Sequence, residues 1–162
     1  MSWTNDIVLA VKREWLDLIL TGKKTAELRR CVPDWEFISG MPAYKIFFYH
    51  KGLIYGEAFV ERVARVSIFS ADVMKVCGVY ASRTQVPARQ AHDYLLGGNS
   101  PGIILFDRLK VYPTPRRWHG PRPQNFVYVK GAEVGEKYAD RTPRAMGEEV
   151  RQFCDPKERR AR

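Results

Sequence analysis

Only two residues, Lys51-Gly52, separate two long runs of strand-forming residues, Tyr44–His50 and Leu53–Val66. Parallel strands need a crossover of about a dozen residues or more, so a link this short commits the two runs to an antiparallel hairpin. The first run, Tyr-Lys-Ile-Phe-Phe-Tyr-His, carries the aromatic side chains that suit a pleated, half-buried surface. Gly56 in the second run marks a candidate bulge. Ile7–Lys12, with Ile7, Leu9 and Val11 on one face, reads as an earlier strand; Gly102–Tyr112 and Phe126–Val129 read as later ones. Lys24–Arg30 reads as an extended stretch.

Helical spacing interrupts these strands. Trp15, Leu16, Ile19 and Leu20 form one apolar stripe over Arg13–Leu20, with Gly22 at the C-cap. Ser70 is placed to cap a short helix, Ala71–Val76, that stops at Gly78. Thr84–Leu96 reads as one further helix, with Pro87 in its first turn and Gly97-Gly98 after its end. Pro33–Pro42 reads as a loop. So does the stretch after Tyr112, where Pro113, Pro115, Pro121 and Pro123 punctuate a run carrying Arg116, Arg117, Trp118, His119 and Arg122. The expectation is an α+β chain: a small mixed, largely antiparallel β-barrel of five or six strands with two to three flanking helices. Residues 1–130 form the expected domain. Residues 131–162 form a charged tail, partly helical (Pro143–Phe153) or disordered.

The 162 residues suit one domain, and 45% hydrophobic with 12% aromatic residues excludes a wholly disordered chain. The longest apolar stretch, near Ile103–Phe106, is far short of the roughly 20 residues of a membrane span. The start, Met1-Ser2-Trp3-Thr4-Asn5-Asp6, has no secretory signal pattern, so a cytoplasmic location is expected. Cys31, Cys77 and Cys154 are odd in number and widely spaced, which reads as free thiols. His50, His92 and His119 lack metal-ligand spacing, so neither metal nor other cofactor is expected. Lys and Arg number 27 against 18 Asp and Glu, a formal +9. Most of it, +7, falls on residues 1–129. That excess favours a polyanionic partner.

Chemistry concentrates in Gly22-Lys23-Lys24-Thr25-Ala26-Glu27-Leu28-Arg29-Arg30. In an extended chain Thr25, Glu27 and Arg29 share a face. Lys24 lies on the other face in a regular strand, or swings towards Glu27 from the turn after Gly22. An arginine fork, a lysine point charge and a carboxylate acceptor suit an anionic or hydrogen-bonding ligand, and equally describe a solvated, self-neutralising strand. Glu57 either faces the same site or is an exposed strand glutamate. Tyr49 and Trp118 either stack on bases or belong to the core; Arg116 and Arg117, with Lys12, would supply positive potential.

The spacing Gly22-x-Lys24-x-x-Glu27-x-Arg29 resembles the GxKxxExR signature of the ASCH domain, a branch of the PUA-like superfamily. Phe48-Tyr49-His50 with Gly56-Glu57-Ala58-Phe59, and Pro123–Tyr128, are similar to that family's later strands; the resemblance covers about residues 7–129. It implies a small barrel with the signature lining a cleft, and RNA, a modified nucleoside or nucleotide, or less specifically DNA, as partner. Some ASCH relatives are enzymes, one an amidohydrolase acting on N4-acetylcytidine and another a ribonuclease. On that pattern Lys24 corresponds to the amidohydrolase's catalytic lysine, but Glu27 stands where that enzyme has its threonine nucleophile. Lys24 and Glu27 remain a candidate acid/base pair, with Thr25 and Glu57 as further candidates. A protein-interaction or regulatory module is the non-enzymatic, non-nucleic-acid alternative.

Overall fold

The structure is a computed structural model that describes residues 3–35, 43–67, 72–130 and 151–152. In chain order its elements are β1 (Trp3–Ala10), α1 (Arg13–Leu20), β2 (Ala26–Arg29), β3 (Lys45–His50), β4 (Leu53–Arg65), α2 (Val73–Val79), α3 (Ala81–Thr84), α4 (Ala88–Leu95), β5 (Gly102–Arg117), β6 (Phe126–Lys130) and β7 (Arg151–Gln152). The strands hydrogen-bond in the order β2-β5-β4-β3-β1-β6-β7. β1 runs parallel to β3; the pairs β1–β6, β2–β5, β3–β4 and β6–β7 are antiparallel. The result is the mixed, largely antiparallel α+β architecture that the hydrophobic patterning implies.

Two compact units share the chain: Met1–Leu16, Tyr44–Phe59 and Arg108–Arg162 form the first, Asp17–Ala43 and Val60–Asp107 the second. In the first, Val8, Phe47, Tyr49, Ile54, Tyr112, Val127 and Val129 from β1, β3, β4, β5 and β6 form one buried cluster with Trp118, the residue that follows β5. The hairpin turns on Lys51 (φ 45°) and Gly52 (φ 86°), two left-handed residues in succession as the twist of an antiparallel pair favours. Phe48 pairs with Gly56 but Tyr49 with Ile54, so Tyr55 is the extra residue of a bulge. Beside it, Gly56 is fixed by close approach: a Cβ there would come within 2.7 Å of the Lys110 carbonyl oxygen.

In the second unit α1 ends as the sequence implies. Gly22 has φ 77°, and its N–H donates to the Ile19 carbonyl at 2.9 Å. β2 then pairs with the start of β5, Ala26 opposite Leu105 and Arg29 opposite Gly102. Buried Ile19, Val73, Cys77, Ala91, Leu95 and Ile103–Leu105 supply its apolar interior.

Several expectations are corrected. The helix expected at Ala71 begins at Val73, with Asp72 at its N-cap; Ser70 lies outside the described residues. Thr84–Leu96 is not one helix but two, α3 and α4, separated by left-handed Gln85 (φ 60°) and by Pro87. Proline disfavours helical backbone at the residue before it and has no N–H to donate. β5 continues through Pro113 and Pro115 to Arg117, where a loop was expected. β2 covers only Gly102–Leu105, so beyond it β5 has one neighbouring strand among the described residues, and such an edge tolerates proline. Within the expected tail helix, Arg151–Gln152 instead pair with β6; the rest of Pro143–Phe153 lies outside the described residues, as does much of the Pro33–Pro42 loop. Cys31 is disulfide-bonded rather than free, whereas Cys77 is a buried free thiol. No helix among the described residues is long and apolar enough to cross a membrane.

Candidate functional site

The left-handed cap at Gly22 reverses the chain out of α1, and the Lys24 N–H reaches back to the Leu18 carbonyl at 3.0 Å. Lys24 therefore sits in the turn, not in the strand. The Thr25 N–H donates to the Arg83 carbonyl at 2.9 Å, and β2 starts one residue later. From the turn, Lys24 swings towards Glu27: its Nζ lies 3.3 Å from Glu27 Oε2. Two residues on, Arg29 Nη2 lies 3.3 Å from Glu27 Oε1. One carboxylate thus bridges two cations, all three nearly sealed from water, at 2% exposure for Lys24, 7% for Glu27 and 9% for Arg29. Burial rules out the solvated-strand alternative for these side chains.

The lysine is anchored by a second contact, Nζ donating to the Thr84 carbonyl at 2.6 Å. Loss of hydration on burial pushes its pKa down; Glu27 opposes the shift, and the Arg29 charge adds to it. Glu27 Oε2 is buried against Lys24 Nζ, its ion-pair partner at 3.3 Å.

Thr25 is held from outside the motif. Its hydroxyl accepts from Arg83 Nε at 2.9 Å. Arg83 Nη2 reaches the Thr25 and Phe106 carbonyls, both at 3.2 Å, and Glu61 Oε2 at 3.0 Å. Arg83 and Thr84 are site residues the sequence did not single out. Nothing local marks them, since they meet the motif across 58 and 60 positions of chain.

The remaining candidates belong to the first unit. Glu57 is buried at 7% exposure, accepts from the Tyr112 hydroxyl at 3.0 Å and pairs with Lys45 Nζ at 2.9 Å. It is not an exposed strand glutamate but the centre of a second buried ionic cluster. Tyr49 and Trp118 pack in the core, and Trp118 Nε1 donates to the Pro121 carbonyl at 2.9 Å. Their rings are packing groups rather than stacking platforms. Arg116 is half-buried, its guanidinium 3.8 Å from the Tyr112 ring centre; Lys12 and Arg117 are exposed. No three His, Cys, Asp or Glu side chains among the described residues are grouped to hold a metal ion.

Neither a scan of protein-family models nor a search of curated proteins matches the chain. Solved structures do. A serine-to-alanine variant of the ASCH protein of Zymomonas mobilis superposes with a TM-score of 0.61 at 17% identity, covering 86% of this chain and 95% of that one. The unsubstituted Z. mobilis ASCH structure gives 0.60 at 16%, covering 85% and 92%. A tyrosine-to-phenylalanine variant gives 0.59 at 15%, covering 84% and 94%. With backbone agreement over most of both chains, this protein has an ASCH-type α+β fold.

Proposed function

We propose that the chain is a nucleic-acid-binding protein that receives RNA or a nucleotide at Lys24, Glu27 and Arg29. The observation that carries the reading is the buried Lys24–Glu27–Arg29 relay on an ASCH-type fold. Holding two cations and an acid away from water is costly unless the groups are used or fully paired. Arg29 offers the planar donor fork that suits a phosphate or a base edge, Glu27 an acceptor for exocyclic amines, and Lys24 a point charge. The formal +9 charge supports a polyanionic partner. A thermal-shift screen over nucleosides, nucleotides and short oligonucleotides tests it. A ligand at 100 times its Kd stabilises by about 2.7 kcal/mol, read as a shift of about 5–11 °C in a chain of this size. No shift at low salt, or a shift unchanged by Arg29→Ala, would refute it.

A second reading, hydrolysis at the same site, is favoured by the lowered Lys24 pKa, which makes the neutral amine accessible as a base. Glu27 would hold or return the proton. Incubation with N4-acetylcytidine and with labelled RNA tests this reading. Turnover abolished by Lys24→Ala is the expected result; absence of turnover, or turnover that survives the substitution, dismisses it.

A further inference from the structure

Residues 108–130 carry six Lys and Arg side chains and not one Asp or Glu, in a chain where acids otherwise number 18. The segment opens with β5 beyond the reach of β2, so Arg108, Lys110, Arg116 and Arg117 lie along a strand with one strand neighbour among the described residues, and Arg122 follows in the loop before β6. Arg108, Lys110, Arg117 and Arg122 are exposed and Arg116 half-buried. From Arg108 to Arg117 the strand spans about 30 Å at its ordinary rise.

Two of these guanidiniums are held in place. Arg108 lies 4.1 Å from the Phe59 ring centre and Arg116 3.8 Å from that of Tyr112. Stacking on a ring restricts a guanidinium's motion, so less freedom is lost when a phosphate approaches it. Arg108 also adopts φ 50°, a conformation non-glycine residues rarely take. Such outliers persist where the surrounding structure demands them and cluster at ligand clamps. Asp107 immediately precedes the row, and Glu57, on the neighbouring strand, is already paired with Lys45 and accepts from the Tyr112 hydroxyl.

We infer that the Arg108–Arg122 segment is a contact surface for the phosphate backbone of a single-stranded nucleic acid, distinct from the Lys24–Glu27–Arg29 relay. The choice of partner class rests on the nucleic-acid reading above. A row of like charges along an extended strand complements a linear chain of phosphates. A membrane surface would demand apolar side chains among the cations, and the only large apolar residue exposed on this stretch, among those described, is Val111. Because phosphate contacts carry no sequence information, binding here is tolerant of base identity and steep in salt.

The experiment measures anisotropy of a labelled 12-nucleotide poly-uridine RNA from 50 to 300 mM salt, beside the thermal shift with uridine monophosphate. It compares wild type with the triple variants Arg108→Gln/Arg117→Gln/Arg122→Gln and Arg108→Lys/Arg117→Lys/Arg122→Lys. Each single-strand phosphate contact contributes about 0.7 to the salt slope, so the glutamine triple should lose about 2 units of slope. The lysine triple should keep it, and both should keep the mononucleotide shift. A glutamine triple with wild-type slope and affinity overturns the surface and leaves the relay standing. So does a wild type that shifts with the mononucleotide but ignores the RNA. Tighter binding to phosphatidylserine vesicles than to RNA, through the same arginines, overturns the nucleic-acid assignment. If wild type responds to neither RNA nor mononucleotide, the reading on which the surface rests is gone.

Discussion

Replacing Glu27 by glutamine keeps the shape of the side chain and removes the one anion between two buried cations. Lys24 and Arg29 each approach that carboxylate to 3.3 Å, and neither is more than a tenth exposed. Solvent screening is therefore weak, and breaking a buried pair from one side costs about 3–5 kcal/mol. For a chain of this length that is a fall in Tm of about 6–20 °C. The pH dependence has a definite sign. Lys24 titrates below its ordinary value when folded, so the unfolded chain binds more protons between the two values. Stability from this group is fully present above the unfolded value, about 10.4, and is lost as pH falls through the folded value. Without Glu27 the folded value drops further, because the attraction that raised it is gone while the Arg29 repulsion stays. The Glu27→Gln penalty should then be larger below the folded Lys24 value than above it, narrowing as pH rises through that value. Urea unfolding of both proteins at closely spaced pH values from 5.5 to 10 measures it. A penalty under about 1 kcal/mol, the range of exposed pairs, or one that does not narrow with pH, would refute the account of a sealed relay.

Three further outcomes are expected. Tyr112→Phe removes the hydroxyl that donates to buried Glu57 and should cost about 1.5–3 kcal/mol in urea unfolding, since a hydrogen bond to a charged group is lost. Gly56→Ala should cost about 1–3 kcal/mol, because the new methyl meets backbone, not a yielding side chain, at 2.7 Å from the Lys110 carbonyl. Arg83→Lys keeps the charge but cannot reproduce a fork reaching Thr25, Glu61 and Phe106 together. It should lower Tm and weaken nucleotide binding, whereas Arg89→Lys, at an exposed helical ion pair, should change neither.

The elements read most directly from the residues are those set by local physics. The Lys51-Gly52 hairpin, the Arg13–Leu20 helix and its Gly22 cap each depend on a few adjacent side chains, and each stands where expected. The relay was legible for the same reason: its three groups lie within six residues, and strand alternation puts Glu27 and Arg29 on one face. What escaped the sequence is what the fold assembles from far away. Thr84 and Arg83 reach the motif only after the chain has returned, and Lys45 meets Glu57 only through strand register. Trp118 illustrates a different limit, because aromatic and basic residues side by side describe a stacking platform and a core edge equally well. The core of the first unit absorbs the ring. The prolines after Tyr112 misled because they forbid a central strand, not an edge one.

The first strand is joined to the last well-buried one, Val8 opposite Val127, across more than a hundred residues of chain. During synthesis the ribosome releases β1 long before its β6 neighbour exists, so one flank of that apolar ribbon waits while more than a hundred further residues are made. Long-range pairing of this kind slows folding and leaves sticky intermediates. Truncation before Phe126 should therefore yield aggregate, not a smaller soluble protein.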